Sequence, residues 1–570
     1  MIADQQGLSM RLRIGAFLLF ASCIFQAVAA IDRPPVAAIA SAHPLATLAG
    51  MEILADGGNA FDAAVAVSAV LAVVEPYGSG IGGGGFWLLH RARDGFEVMV
   101  DGREKAPLAA TRDMYLDAAG EVVPNLSVDG ALAAGIPGEP AALDYIARHY
   151  GRLPLARSLQ PAIRLAREGF AVDTHYRKLA QFRQAALQDD AVAARLFLQN
   201  GEVPDVGYRV RQPELAETLS FIARFGHAGF YQGPVARKLV DGVRAGGGIW
   251  TLQDLAEYRV VEREPVRSEF QGLRITSASP PSSGGIALAA MLNMLARVEW
   301  QQLDAASRTH VIIESMRRAY RDRSVFLGDP DFVDVPVERL ISTAHAGRLA
   351  RSIELERATP SSSLPGSDIS TRGRDTTHFS ILDSDGNRVA ATLSINYPFG
   401  ACVVPAGTGV LLNDEMDDFS AKPGVPNVYG LVGAQANAIE PGKRPLSSMS
   451  PTFVDSEQGV AILGTPGGSR IITMVLLGIL DQAAGNKPDS WVSLPRYHHQ
   501  YLPDVVQHEA NAFDADMIES LTDRGHTLKQ LDSEYGNMQA IYWDRKAGQV
   551  FAASDPRGVG DSRVGLFRRQ

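Results

Sequence analysis

The sequence predicts layered α and β structure, with helices gathered early in the chain and strands late. Three patterns carry this reading: helical apolar spacing between residues 43 and 76, a switch to strand-like alternation near residue 376, and glycine clusters at the junctions. "HPLATLAGMEILADGG" has helical spacing and stops at Gly57-Gly58. Asn59 then caps "AFDAAVAVSAVLAVVEP", which Pro76 ends. "GSGIGGGGFWLLH" runs glycines into a strand, and helical patterns recur at about 139–150, 155–168 and 305–322. Residues 366–374, "GSDISTRGR", are polar and turn-rich. Beyond them "HFSIL" and "RVAATLSIN" flank Asp383-Ser384-Asp385-Gly386-Asn387, whose Asp-Gly signals a hairpin. "TGVLL", "PTFV" and "VAILG" read as further strands, and "TPGGSRIITMVLLGILDQAAG" as a tight glycine turn feeding a helix. There is no internal repeat.

At 570 residues the chain suits two to four average domains or one large fold with insertions. Apolar content of 46% and charged content of 21% are those of a globular protein. A formal charge of −10 argues against a nucleic-acid partner, because polyanion binders carry a basic face. Arg11 and Arg13 precede the apolar run 14–25, and Ala27-Val28-Ala29 follows, the layout of a secretory signal peptide. Phe20-Ala21-Ser22-Cys23 departs from a lipoprotein box at Phe20. No segment is apolar for long enough to span a membrane, so the expectation is an exported, soluble protein, periplasmic in a Gram-negative bacterium and otherwise secreted. Cys402 is the only cysteine outside the signal, which leaves no intramolecular disulfide and makes Cys402 a small buried residue rather than a nucleophile.

Several candidate chemistries fall away. The glycine loop "GSGIGGGG" precedes a strand, whereas nucleotide-binding glycines follow one and open a helix. Adjacent His498-His499 point in different directions, and no His-Glu-x-x-His or cysteine pair is present, so no metal is expected. A Gly-x-Ser-x-Gly elbow is absent. Gly467 and Gly468 in "TPGGSR" serve either as a structural turn or as a backbone oxyanion hole. Ser447 and Ser448 in "KRPLSSMSP" are adjacent hydroxyls in a turn-like setting, where serines often bond only their own backbone. In "GRDTTHFS", a threonine freed at a new N-terminus has its own α-amine as a base; otherwise Thr376 and Thr377 are β-formers opening a strand.

These strings together resemble the γ-glutamyltranspeptidases of the N-terminal nucleophile hydrolase superfamily. The matches are "GGNAFDAAVA", "SGIGGGGF", "DGREKAP", "PPSSGG", "DTTHFS", "LLNDEMDDFSAKPGVPNVYGLVG", "KRPLSSMSP" and "TPGGSRIIT", in the family's order and across nearly the whole mature chain. The resemblance implies an α+β fold, a four-layer αββα sandwich built from both subunits of a cleaved precursor. It divides the chain into a signal peptide (1–29), a large subunit (30–375) and a small catalytic subunit (376–570), which form a heterodimer.

Residue by residue, the resemblance makes Thr376 the nucleophile, freed by cleavage between Asp375 and Thr376. Arg103 binds the γ-glutamyl α-carboxylate with help from Ser447 and Ser448. Asn396, Glu415 and Asp418 surround the α-amino group. Gly467 and Gly468 form the oxyanion hole, and Tyr429 is the aromatic of a lid. Ser394 stands where many members carry a threonine that bonds the nucleophile, and Glu415 where members carry Gln or Glu. The implied activity is hydrolysis and transfer of the γ-glutamyl group of glutathione and related compounds to water, amino acids or peptides, without cofactor. The alternatives are a cephalosporin or glutaryl acylase of the same fold, or an unprocessed γ-glutamyl-binding relative.

Overall fold

Two antiparallel sheets face each other, each backed by helices. The seven-stranded sheet runs in the order Asp561–Gly565, Ala37–Ser41, Thr377–Leu382, Arg388–Ser394, Gly84–Arg91, Phe96–Gly102, Val261–Arg263. The six-stranded sheet runs Gln549–Ser554, Gln539–Asp544, Gly459–Gly464, Thr452–Asp455, Leu273–Ser277, Val266–Phe270. This computed structural model describes residues 33–364, 376–422, 424–425, 427–428, 430–431 and 433–565. The expected signal peptide, Cys23, the 366–374 segment, Asp375 and Tyr429 lie outside the described residues.

Strand alternation sorts the layers. Ile39, Trp87, Leu89, Phe379 and Ile381 point outward and pack under the helices Pro44–Ala55 and Ala60–Val74. Ala38, Ala40, Leu88 and Leu382 point inward against Phe453, Ile462 and Ile541 of the second sheet. Helices Gly284–Leu295 and Ile471–Ala483 cover the far side. The result is the expected αββα sandwich, and among the described residues no helix is long and apolar enough to cross a membrane.

Local chemistry explains the key elements. Asn59 and Asp62 form a reciprocal capping box that starts Ala60–Val74. The "GSGIGGGG" loop is a place of close backbone approach: a Cβ on Gly82 would lie 2.0 Å from the Leu411 carbonyl oxygen, and one on Gly83 2.1 Å from that of Ser394. The sheets also touch closely where the His378 ring lies over Gly464 and the Ser380 hydroxyl donates to the Gln539 carbonyl at 3.1 Å. "TGVLL" is not a strand. Gly409 takes a φ of 66° against the helix Pro213–Phe225, which breaks the pleat and leaves only a bridge between Leu412 and Gly82.

Candidate active site

Along Thr377–Leu382, alternate residues face the second sheet, and extending that parity one residue back puts Thr376 on the inter-sheet side. Thr376 is 9% exposed and lines a small recess. Thr377 points the other way, and its hydroxyl donates to Glu75 Oε2 at 2.7 Å at the end of Ala60–Val74. Of the two threonines, only the first reaches the recess.

Arg103 follows the strand Phe96–Gly102 and is fully buried in the same recess. Asp101 accepts from its backbone N–H at 2.9 Å, and its carbonyl accepts from Tyr258 at 2.7 Å, so the main chain is held on both sides. Its guanidinium donates to Pro445 O at 3.2 Å and forms ion pairs with Glu415 and Asp418. These two carboxylates sit three residues apart on the 3₁₀ turn Glu415–Asp418, where positions i and i+3 eclipse and so share a face. Asp417, between them, faces away toward Ser127 and the Val428 backbone N–H.

Burial raises the Glu415 carboxyl to about 7 and raises Asp418 as well, with Arg103 opposing both shifts. Arg103 is pushed further into its charged form by the carboxylates around it, against its own burial. Beneath them Glu104 is completely buried, with neither carboxyl oxygen hydrogen-bonded, and burial lifts it well above the usual carboxylate range. Glu104 Oε2 also stands 3.6 Å from Arg103 Nη1, so three carboxyl groups crowd one guanidinium, and burial favours the protonated form of Glu104. A free α-amino acid head, one cation and one anion, can exchange into that arrangement: its carboxylate takes the Arg103 fork and its ammonium takes the carboxylates.

The remaining sequence candidates arrive from separate elements. Ser394 ends the strand Arg388–Ser394, and its hydroxyl accepts from the Asn396 backbone N–H at 2.8 Å. Asn396, with a φ of 73°, donates through Nδ2 to the Asp414 carbonyl at 3.0 Å. Ser447 Oγ accepts from the Met449 N–H at 3.1 Å, which leaves its proton free to donate. Gly468 opens the 3₁₀ turn Gly468–Arg470 ahead of the helix Ile471–Ala483. Gly467 and Gly468 have φ of 142° and 56°, a conformation suited to turning backbone N–H groups toward one point. Thr376, Arg103, Ser394, Asn396, Glu415, Asp418, Ser447, Ser448 and Gly468 all line the recess. Gly467 shapes the turn without lining it, and Asp375 and Tyr429 are outside the described residues.

Leu431, Met449, Ser469 and Ile471 also line the recess, and sequence reasoning did not single them out. Met449 and Ser469 sit directly beside residues that it did name, and all four fall within the matched strings, so proximity within the motifs was the available signal. Cys402 is buried, and burial lifts its thiol to about 12. His498 and His499 have different partners: Gln500 and Thr473 for one, Asp504 for the other. Among the described residues, His310, Glu314 and His526 form the one cluster of potential metal ligands. Glu314 is paired with Arg317 and Arg318, and the two imidazoles hydrogen-bond each other at 2.7 Å, so these groups are engaged with protein partners.

The paired sheets, their two helix layers and a threonine heading a central strand at the recess define an N-terminal-nucleophile type of hydrolase fold. Residues 46–564 match the model of the gamma-glutamyltranspeptidase family, and the chain belongs to that family of enzymes. The glutathione hydrolase proenzyme of Escherichia coli (strain K12) is 41% identical over 572 residues, covering 96% of this chain and 98% of its own. The crystal structure of cephalosporin acylase from Bacillus halodurans superposes with a TM-score of 0.82 at 29% identity, over 93% of this chain and 96% of that one. That of Helicobacter pylori gamma-glutamyltranspeptidase matches at 42% identity with a TM-score of 0.55, covering 56% of this chain and 93% of that chain.

Proposed function

We propose that this chain is an exported precursor that cleaves itself before Thr376 and then hydrolyses or transfers γ-glutamyl groups, with glutathione as a donor. The observation that carries it is the pairing of Arg103 with Glu415 and Asp418 in the recess that Thr376 lines. In processing, the Thr376 hydroxyl oxygen attacks the Asp375 carbonyl carbon and the amide nitrogen leaves as the new α-amine. Water then hydrolyses the resulting ester and frees a carboxylate on Asp375. In turnover the α-amine takes the hydroxyl proton as Oγ attacks the γ-carbonyl, and the N–H groups of Gly467 and Gly468 receive the oxyanion. The departing amine takes that proton, and water or an acceptor amine releases the γ-glutamyl group. Arg103, Ser447 and Ser448 hold the α-carboxylate, Asn396, Glu415 and Asp418 the ammonium, and Ser394 orients Thr376.

Residues 1–29 direct export, to the periplasm in a Gram-negative cell; residues 30–375 and 376–570 remain together as a heterodimer. The relatives' proenzyme naming and the solved transpeptidase chain that covers only 56% of this sequence support a split precursor. The reading uses no metal or organic cofactor. An acylase reading has the B. halodurans likeness in its favour, but glutaryl side chains offer no ammonium to Glu415 and Asp418. Denaturing electrophoresis of the purified protein should give two bands, the smaller beginning Thr-Thr-His-Phe, and Thr376→Ala should give one. A γ-glutamyl anilide should release its chromophore while a glutaryl anilide does not; the reverse preference would assign the acylase activity.

A further inference from the structure

The long helix Ala305–Phe326 runs past the recess and reaches it twice from one face. Tyr320 donates its hydroxyl to the carbonyl of Ser469, the residue after Gly468. Three positions on, and so on the same face, Arg323 is 5% exposed and directs its guanidinium at the serine turn. Nε donates to Ser283 Oγ at 3.0 Å, and Nη2 donates to Ser448 Oγ at 3.3 Å. Ser283 in turn donates its hydroxyl at 2.7 Å and its backbone N–H at 2.8 Å to the Ser447 carbonyl. One guanidinium fork therefore fixes both adjacent serines, Ser448 through its side chain and Ser447 through Ser283.

The donor inventory makes this directional. A guanidinium nitrogen cannot accept, so Ser448 Oγ must accept from Arg323, and its own proton is left for something else. Ser447 Oγ already accepts from the Met449 N–H, so its proton is free in the same way. Two oriented hydroxyl protons beside Arg103 suit an anion with more than one oxygen. Charge counting agrees. Among the described residues no carboxylate is ion-paired with Arg323, although Asp418 and Arg103 are close enough to influence it. Arg103 and Arg323 supply guanidinium cations and Glu415 and Asp418 supply carboxyl groups, so the site offers a partner for each end of the zwitterionic head of an α-amino acid. A cation in a last helical turn complements the helix carbonyls without being buried; Arg323 is buried and aimed at hydroxyls.

We propose that Arg323 is a positioning residue for the donor's α-carboxylate: it holds Ser448 as a hydrogen-bond donor toward that group and supplies the site's second positive charge. This rests on the γ-glutamyl reading above.

The test compares γ-glutamyl anilide with 4-aminobutyryl anilide, which keeps the amino group and lacks the α-carboxylate, for the processed wild type, Arg323→Gln and Arg323→Lys. If the wild type does not cleave γ-glutamyl anilide, the functional reading itself fails. If it does, Arg323→Gln should raise KM for γ-glutamyl anilide about tenfold to a hundredfold, the range for a charged hydrogen bond, with little change in kcat. Its kcat/KM for 4-aminobutyryl anilide should stay within about twofold of the wild type. Arg323→Lys keeps the charge but cannot fork to two hydroxyls, so it should show the same selective KM rise at about fivefold. It also keeps the test open if the glutamine variant does not fold. In a Ser448→Ala background the effect of Arg323→Gln should shrink by at least about threefold, the signature of action through that hydroxyl. Equal losses on both anilides, a kcat-only effect, or an Arg323→Lys enzyme indistinguishable from wild type would overturn the proposal.

Discussion

Replacing Glu415 with glutamine tests whether that carboxylate is the group that receives the ligand's ammonium. Burial holds Glu415 near 7 in the free protein, so it is mostly ionised at pH 8 and mostly protonated at pH 6. If only the ionised form accepts an ammonium, affinity falls by the factor 1 + 10^(pKa − pH), about 1.1 at pH 8 and about 11 at pH 6, a loss of about tenfold or 1.4 kcal/mol. The assay is competitive inhibition of anilide cleavage by L-glutamate. This ligand carries the whole α-amino acid head and forms no ester, so the base strength of the Thr376 amine does not enter its binding. The inhibition constant should rise about tenfold between pH 8 and pH 6 in the wild type. Glu415→Gln should bind about tenfold to a hundredfold more weakly at pH 8 and lose that slope, because the amide does not titrate. A wild-type constant flat across the range would refute the reasoning, as would the same slope in the glutamine variant.

Gly464→Ala should destabilise the sandwich by about 1–3 kcal/mol, since the new Cβ would sit 2.2 Å from His378 Cε1 and the ring is tethered to Thr392. Denaturant unfolding checks it, and a variant as stable as its parent would show that the two sheets are not held so close. Burial lowers His378 from 6.5 to about 3, so the unfolded chain gains a proton below pH 6.5 that the folded one does not. That histidine's contribution is complete above pH 6.5 and drains away as pH falls, by roughly 2 kcal/mol at pH 5. The stability difference between the parent and His378→Asn should therefore shift by that amount between pH 7 and pH 5; no shift would place the ring in water.

Much of this was legible because the signals were local. Asn59 reads as a cap in the sequence and caps Ala60–Val74 in the fold, where Asp62 completes a capping box. The Asp-Gly turn between Thr377–Leu382 and Arg388–Ser394 marks a hairpin, with Gly386 at a φ of 92°. The Glu415-to-Asp418 spacing needed the 3₁₀ turn to make it a single face. The failures are non-local. "TGVLL" has strand composition, but its path is set by Gly409 meeting a helix some two hundred residues earlier. Ala37–Ser41 is a fully buried strand of small residues, so it shows no polar alternation to read. Arg323 looks like any arginine in a charged helix, and only the packing of Ala305–Phe326 against the serine turn reveals its direction.

The strand order carries a consequence for how the pieces stay together. Ala37–Ser41 lies between Asp561–Gly565 and Thr377–Leu382, and Arg388–Ser394 pairs with Gly84–Arg91, so segments from either side of residue 376 are zipped into one ladder. The other sheet is shared in the same way, through Leu273–Ser277 and Thr452–Asp455. If the bond before Thr376 is cut as proposed, the two polypeptides have no interface that can part while each keeps its shape. Their dissociation is then the same event as denaturation, and the stability of the cut protein becomes dependent on its concentration where that of the precursor is not. Dilution under native conditions should leave the fragments joined, while a denaturant that melts the sheets should release both at one midpoint.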